Sequence, residues 1–309
     1  MLTNLAPVAL FIYQRPDHVR RTIASLQACD GFDGSPIYVF ADGPKSVADR
    51  ENVIAARAIA RDLLGSRAVY AEQDNNRGLA NSVIAGTTEL CEQFGRVIVV
   101  EDDLVLSPGF LRFLNDGLVR YRNEARVMQI SGHMFDVPSL AGEREAMLLP
   151  MTTSWGWGTW KRSWDMFDPM VAGWRERLAD ASIARRFNLD GAYDYGSMLR
   201  RQQKGAIDSW AVRWYYSVFV NDGLSLFPPR TLVFNGGLDG SGTHDRLALP
   251  ARQATLDVAA SFSWPDLISE SRHKEQVFEA VRQFRTSSRR RRVVGGLKAG
   301  VRLLRGAPR

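Results

Sequence analysis

The chain has few residues of the kinds that form disulfides, span membranes or bind zinc. Only two of its 309 residues are cysteine, Cys29 and Cys91, and neither stands in a CxxC or CxxH spacing. This scarcity disfavours a disulfide framework or a zinc site and favours a reducing, cytoplasmic compartment. No apolar run is long enough for a transmembrane helix, and the N-terminus lacks the basic start of a signal peptide.

Several common catalytic motifs are also missing. There is no GxGxxG after the first apolar run, and no Walker-type, GxSxG or HExxH pattern. With only four histidines, a Ser/His/Asp hydrolase is disfavoured as well. The sequence therefore excludes the motif-bearing dinucleotide, P-loop, esterase and zinc-protease classes.

The net charge of +6 comes from one end of the chain. Residues 285–309 contain nine basic and no acidic residues, which leaves the preceding 284 residues with a net charge of −3. A nucleic-acid-binding surface would spread basic residues over the fold, so such binding is disfavoured, although a salt-sensitive contact through the tail is an alternative. Because residues 289–292 are all arginine and apolar residues follow at roughly helical spacing, the tail is expected either to lie on an anionic membrane or to be a disordered solubilising extension.

Apolar runs alternate with helical patterns over the first hundred residues. Strands are predicted at Leu5–Tyr13, Pro36–Ala41, Ala68–Glu72 and 97–100, and helices at 17–29 (with Asp17 as N-cap), 47–64 and up to about Phe94. This order predicts an α/β fold with a Rossmann-like, mostly parallel sheet and helices on both faces. Residues after 106 have a mixed, tryptophan-rich texture and are expected to share the same sheet.

An acidic triplet follows the fourth apolar run. Glu101, Asp102 and Asp103 repel one another, so folding alone gives little reason to gather them at a strand end. A Mg²⁺ or Mn²⁺ ion would supply that reason, and a solvated acidic turn is the alternative. Arg15, Asp42 and the loop Asp74–Gly78 also follow predicted strands, and the carboxyl ends of parallel strands are where open α/β sheets bind ligands.

These motifs together resemble the GT-A glycosyltransferases, whose nucleotide-sugar domain ends a strand in a DxD-like acidic motif. More narrowly, the chain is similar to the inverting N-acetylglucosaminyltransferases of N-glycan branching and their bacterial relatives. The matching segments lie between about residues 5 and 245: 97–110 around the acidic triplet, Tyr13–Pro16, Ala41–Gly43 and Gly240–His244. The resemblance implies one GT-A domain over 1–284, with a nucleotide-sugar-binding half (1–106) and an acceptor-side half (107–284), followed by the basic tail.

The resemblance also implies roles for individual residues. Asp42 would accept a hydrogen bond from uracil, Arg15 would pair with the diphosphate, and Asp103 would bind Mn²⁺ or Mg²⁺. Glu101 and Asp102 would position ribose, sugar hydroxyls or metal-bound water. Asn75, Arg77 and Gly78, in the loop before the third helix, are expected to contact the donor. A Gly-rich lid, Gly236–Gly242, is followed by Thr243, expected near the phosphates, and by His244, expected to bind the metal.

An inverting transfer needs a carboxylate base, because a sugar hydroxyl is too weak an acid to attack unaided. Asp208 is the candidate, since neighbouring aromatic residues would desolvate it and the family places its base before a tryptophan. Ser209 stands where the family has a second acid, so the assignment to Asp208 is open. Asp194 is the reserve, and the alternative role for Asp208 is a helix N-cap.

Four tryptophans fall within the ten residues 155–164. Because Trp rings commonly stack on sugars, Trp155, Trp157 and Trp210 are predicted to contact acceptor or sugar, while Trp160 and Trp164 are expected in the core. The expected function is a metal-dependent inverting glycosyltransferase that takes a nucleotide-sugar donor, UDP-linked, and a glycan or lipid-linked acceptor. The alternatives are a nucleotidyltransferase and a non-catalytic carbohydrate-binding protein derived from a transferase.

Overall fold

The computed structural model describes residues 5–239, 254–257 and 262–286. Its strands are β1 Val8–Ile12, β2 Ile37–Ala41, β3 Ala68–Glu72, β4 Arg96–Glu101, β5 Leu104–Leu106, β6 Val127–Ser131, β7 Met147–Leu149, β8 Trp157–Trp160, β9 Leu224–Phe227 and β10 Val233–Asn235. Its α-helices are α1 Pro16–Gln27, α2 Arg50–Leu64, α3 Leu79–Phe94, α4 Phe110–Arg120, α5 Lys161–Trp164, α6 Trp174–Arg177, α7 Ala181–Phe187, α8 Tyr195–Gln203 and α9 Trp210–Val220. Residues 274–286 are helical as well.

Eight of the strands form one sheet in the order β3-β2-β1-β4-β8-β6-β9-β7. The first four are parallel neighbours, β8 runs antiparallel between β4 and β6, and β9 is parallel to β6. β7 closes the far edge antiparallel to β9, and β5 pairs with β10 in a separate two-stranded sheet. The sheet therefore runs without interruption from the regular first half into the mixed second half.

Alternate residues of the central strands enter two different cores. Val8, Leu10 and Ile12 of β1 pack with α1, α2 and α4, whereas Ala9 and Phe11 face the opposite core with α3 and α9. This period-two division is expected for a strand buried on both faces. The predicted fold class is confirmed: the protein is α/β, with a mostly parallel Rossmann-like sheet, helices on both faces and a mixed second half.

The start of α1 differs from the sequence-based expectation. The helix begins at Pro16, with Arg15 rather than Asp17 at the N-cap position and no capping hydrogen bond from the Arg15 side chain. Proline is favoured at a first helical position because it has no N–H to leave unpaired and its φ is already helical. This start leaves the Arg15 side chain available for the acidic triplet.

The second half has its own apolar core, built largely from α7, α8, α9, β7 and residues 277–281. No helix in the part of the chain that the structure describes combines the length and apolar character needed to cross a bilayer. Residues 287–309 of the predicted basic tail lie outside the described residues.

Candidate functional site

Arg15 and the acidic triplet meet where β1 and β4 end side by side. The strands are in parallel register, with Phe11 opposite Glu101, so the chain leaving each strand reaches the same edge. The Arg15 guanidinium donates to Asp102 Oδ1 at 2.5 Å and to Asp103 Oδ2 at 3.0 Å, through the same Nη2. The Tyr13 backbone N–H donates to the other oxygen of Asp102 at 3.0 Å. Asp102 is thus a buried anchor for the chain that follows β1.

The triplet carries more negative charge than Arg15 neutralises. Burial and the neighbouring carboxylates of Asp103 and Asp102 raise the pKa of Glu101 to about 8. Burial lowers the pKa of Arg15, but the Asp102 and Asp103 carboxylates outweigh that effect and raise it above its usual value. Burial is the larger cause of the raised pKa of Glu101, and the repulsion between the three carboxylates adds to it.

A divalent cation fits this site if a bound ligand supplies part of its coordination shell. In the described residues no three His, Cys, Asp or Glu side chains converge on a point where a metal could bind. Asp103 nevertheless has one carboxylate oxygen that accepts no hydrogen bond from any described residue. Mg²⁺ is commonly held by one or two carboxylates with substrate phosphates completing its shell, and Asp103 with the adjacent negative field suits that arrangement.

Residues Gly236–Asp239 form a short 3₁₀ turn after β10. The start of this turn contacts Asp103 and Arg15. The Gly236 N–H donates to the Asp103 carbonyl at 2.7 Å. A side chain at Gly237 would clash with the Asp103 carboxylate and touch Arg15, so any larger residue would have to displace the Asp103–Arg15 ion pair. The remainder of the predicted lid, with Thr243 and His244, lies outside the described residues.

Asp42, at the end of β2, organises the loop that precedes α3. Its Oδ1 accepts from the Gly43 and Arg77 N–H groups at 2.9 and 2.8 Å. Its Oδ2 accepts from Asn76 Nδ2 and the Gly78 N–H, both at 2.9 Å. Two bonds to each oxygen use the usual acceptor capacity of a carboxylate, so a uracil contact, which stays a prediction, would have to replace one of them.

The loop held by Asp42 carries the other predicted donor contacts. Arg77 and Asn75 have exposed side chains, and Gly78 has a φ of 81° at the N-cap position of α3. Gly43 packs so closely on the Asn75 backbone that a β-carbon there would lie 2.5 Å from it. Arg57 donates to the Ala41, Asp42 and Gln73 carbonyls and so ties the ends of β2 and β3 together. The loop backbone is fixed in place, and the Asn75 and Arg77 side chains remain exposed.

Asp208 lies beside this loop. A β-carbon on Gly78 would be 3.9 Å from Asp208 Oδ2, and Arg213 donates to Asp208 Oδ1 at 3.1 Å. The expected desolvation is absent, since the Asp208 side chain is 60% exposed. The capping alternative is also wrong, because Ser209 is the N-cap of α9 and accepts from the Val212 N–H. Asp208 is thus an accessible carboxylate between the Gly78 loop and α9.

Asp194, the reserve candidate, has a structural partner. It is the N-cap of α8 and accepts from the Ser197 N–H at 3.0 Å. N-capping satisfies a backbone donor that the helix leaves unpaired, and it accounts for an acid at this position. The geometry therefore favours Asp208 over Asp194 as an available base.

The prediction that Trp157 and Trp210 contact a sugar is corrected by their burial. Trp157 is in β8 with no exposed surface, and its ring stacks on Trp210 with centroids 5.1 Å apart. Both belong to the apolar core beneath α3 and α9, because the strand of which Trp157 is part is inserted between β4 and β6. The expected core positions of Trp160 and Trp164 agree with their burial.

Trp155 is different, because it lines a cavity of about 190 Å³. Its ring lies 4.4 Å from the buried imidazole of His133. Sequence reasoning missed the other aromatic and thioether side chains of this wall, which are Phe135, Met151, Tyr193, Tyr195, Met198 and Phe284. The closely spaced pair Tyr193 and Tyr195 was the available sequence signal, but only the fold brings it opposite Trp155.

No protein-family model matches this chain, and no curated protein matches it. Among solved structures, the chain is similar to the galactosyltransferase LgtC, crystallised in complex with donor and acceptor sugar analogs. The identity is 12%, the TM-score is 0.35, and the match covers 69% of this chain and 70% of that chain. A likeness of this degree assigns no activity and no residue to the present protein.

Proposed function

We propose that this protein is a glycosyltransferase of the GT-A type. It transfers a sugar from a nucleotide diphosphate donor, UDP-linked, to a glycan or lipid-linked acceptor with inversion at the anomeric carbon. Its narrower kinship is with the inverting N-acetylglucosaminyltransferases that the sequence resembles. The proposal includes dependence on Mn²⁺ or Mg²⁺.

One observation carries the proposal. Asp208 lies against Gly78, and the Gly78 loop is bound through Asp42 to the same sheet edge that holds Arg15 and the acidic triplet. An accessible carboxylate next to a charged strand-end site is the combination that an inverting transfer needs: a binding site for the leaving diphosphate and a base on the attacking side.

The residues would divide the chemistry as follows. Asp208 takes the proton of the acceptor hydroxyl, and its hydrogen bond with Arg213 fixes the carboxylate orientation. Arg15 is positioned to exchange one of its two carboxylate contacts for a phosphate oxygen, which a planar guanidinium binds well. Glu101 would position a donor hydroxyl through a hydrogen bond. A cation on Asp103, when bound, supplies charge stabilisation for the departing diphosphate.

A screen of nucleotide sugars for release of nucleoside diphosphate tests the overall activity. We expect at least one UDP-sugar to be hydrolysed slowly without acceptor, with loss of the reaction in EDTA and recovery in Mn²⁺. Release of pyrophosphate from a nucleoside triphosphate and a sugar phosphate would instead identify a nucleotidyltransferase. A protein that binds sugars but turns over no donor would be a binding module, and the proposal would fail.

The choice of base is tested with a matched pair, Asp208→Asn and Asp194→Asn. Loss of a general base typically costs two to four orders of magnitude in rate, so Asp208→Asn should lower kcat about 10²–10⁴-fold with donor affinity retained. Asp194→Asn should instead leave both stability and kcat nearly unchanged, because asparagine caps a helix about as well as aspartate does. The reverse pattern would move the base to Asp194.

The role of Asp103 is tested by isothermal titration of UDP with and without Mn²⁺. We expect Mn²⁺ to strengthen UDP binding in the wild type and to have little effect in Asp103→Asn. Asp17→Asn, an exposed acid on the first turn of α1, serves as the control. If UDP affinity in Asp103→Asn responds to Mn²⁺ as it does in the control, Asp103 does not bind the metal.

Cytoplasmic placement with peripheral attachment through the basic tail belongs to the same proposal. Its support is the concentration of nine basic residues in positions 285–309. Cosedimentation of the full chain with vesicles containing anionic lipid, compared with a chain ending at residue 286, tests it. Equal binding by both chains, or none by either, would remove the tail from the proposal.

A further inference from the structure

The cavity beside Trp155, here called the aromatic cavity, has a uniform chemical character. Its described wall contains aromatic, aliphatic and thioether side chains together with short hydroxyl residues, and none of these is Asp, Glu, Lys or Arg. Burial lowers the pKa of His133 to about 3, so this imidazole adds no charge at neutral pH. An uncharged wall of this kind favours an apolar ligand group.

Some polar atoms of the wall are already paired, and others are not. The Thr153 hydroxyl pairs with Ser131, and the Thr153 carbonyl accepts from Gln129 Nε2 at 2.9 Å. His133 Nε2 is buried with no hydrogen-bond partner among the described residues and could pair with one ligand hydroxyl. The other hydroxyl groups of a sugar ring filling the cavity would face mostly aromatic and aliphatic carbon, which is costly. A hydrocarbon or aromatic group carries no such cost and would gain from contact with the rings.

The cavity volume limits what it can hold. A dry cavity of about 150 Å³ in another protein binds a benzene molecule. At about 190 Å³, the aromatic cavity has room for one six-membered aromatic ring or a short hydrocarbon chain. The cavity thus accommodates a small apolar moiety, and because it is open to the surface the rest of the ligand can extend outward.

Its position connects it with the proposed reaction. Ala211 and Val212 in the first turn of α9 belong to its wall, and Asp208 lies immediately before that helix. His133 and Thr153–Trp155 come from the chain after β6 and before β8, at the sheet edge where β4 also ends. Asp208 is therefore close to the Gly78 loop in space and close in the chain to the residues of α9 that form part of the cavity wall, as a base between a donor site and an acceptor subsite would be.

We propose that the aromatic cavity binds an apolar group of the acceptor, an aromatic ring or short hydrocarbon segment attached to its sugar, and so selects acceptors with an apolar aglycone. That the ligand is an acceptor rests on the proposed function. The inference that this wall binds an apolar group is independent of the proposed function.

A glycoside series separates the apolar contribution from the sugar. Methyl, phenyl and hexyl β-D-glucosides share one sugar and differ only in the aglycone, and their binding can be measured by isothermal titration and tryptophan fluorescence. Each methylene removed from water strengthens binding about fourfold, so burying two or three predicts at least a tenfold gain over methyl glucoside. A gain for phenyl alone would assign a ring, and a gain for hexyl alone a chain; either supports the proposal.

The matched variants are Met198→Trp, which fills the cavity, and Met170→Trp, which makes the same change at a residue that is 75% exposed. We expect Met198→Trp to abolish the gain and Met170→Trp to keep it. Met198→Phe, a smaller filling change, replaces Met198→Trp if that variant does not fold. Equal binding of all three glucosides, or a gain that survives filling of the cavity, would overturn the proposal.

Donor hydrolysis without acceptor, measured on the same variants, distinguishes failure of this inference from failure of the proposed function. Met198→Trp should release nucleoside diphosphate at the wild-type rate, because Met198 is not part of the donor site. If no donor is hydrolysed but the apolar gain is present and depends on Met198, the transferase proposal fails and the apolar site remains. If donors are hydrolysed while the glucosides bind alike, only the apolar site fails.

Discussion

Replacing Asp42 with asparagine separates two explanations of this residue. If Asp42 serves only to bind a nucleobase, Asp42→Asn should weaken donor binding and leave the free protein as stable as before. The structure predicts a further effect, because the carboxylate accepts four hydrogen bonds from its own loop: three from backbone N–H groups and one from the Asn76 amide. An asparagine side chain has only one acceptor oxygen. Its NH₂ group would face N–H groups, from which it cannot accept a hydrogen bond.

The magnitude follows from counting the bonds. Two of the four lose their acceptor whichever way the asparagine amide is turned, and a hydrogen bond to a charged group contributes about 1.5–3 kcal/mol. Because three of the four hydrogen bonds are only partly buried, we take the lower part of that range and expect a loss of about 3 kcal/mol in the free energy of unfolding. The Gly43, Arg77 and Gly78 amides should also exchange their hydrogens faster.

Urea denaturation gives the stability change through the transition midpoint, provided that the m-value is unchanged. Asp74→Asn is the control, since Asp74 is an exposed acid in the same loop. If Asp42→Asn is within about 0.5 kcal/mol of this control, the range expected for surface substitutions, the argument that Asp42 organises the loop is wrong.

Three other changes test the remaining assignments. Trp157→Ala should lower the free energy of unfolding by about 4 kcal/mol in denaturant titrations, as for a buried ring, and the partly exposed Trp174→Ala by much less; equal losses would contradict a core role. Burial lowers the pKa of His133 to about 3, whereas the unfolded ring titrates near 6.5. Between these two pH values, His133 therefore binds a proton in the unfolded chain and not in the folded chain. This contribution to stability is complete above about pH 6.5 and is lost by about 1.4 kcal/mol per pH unit on acidification towards pH 3, a slope that His133→Phe should remove. Arg15→Gln should cost about 3 kcal/mol by leaving buried Asp102 unpaired, and adding Asp102→Asn should recover part of it; a double variant no more stable than the single one would refute the pairing.

The features predicted correctly from the sequence are those with a local cause. β3 was predicted at its observed bounds, Ala68–Glu72, and the first-half helices within a few residues, because apolar periodicity is written in neighbouring residues. The shared edge for Arg15, Asp42 and the acidic triplet followed from one rule about parallel strands.

The errors arose where the cause is distant in the chain. The fate of Trp157 depends on β8 being inserted antiparallel between β4 and β6, which no local pattern reveals. The donors that occupy Asp42 come mostly from residues 76–78, more than thirty positions later. Asp208 has aromatic neighbours in sequence, but they point into the core as α9 begins and leave the carboxylate exposed.

The pairing of β8 with β4 has a consequence for engineering. Arg96–Val99 of β4 are in register with Trp157–Trp160 of β8, so the first-half strand at the centre of the main sheet is bonded along most of its length to the second half. A fragment ending near residue 106 would expose this apolar strand edge, which could pair with other chains and cause aggregation. Chimeras that exchange the second half between related proteins should therefore retain β4, β8 and the core contacts of Trp157. Only the loops at the sheet edge should be varied.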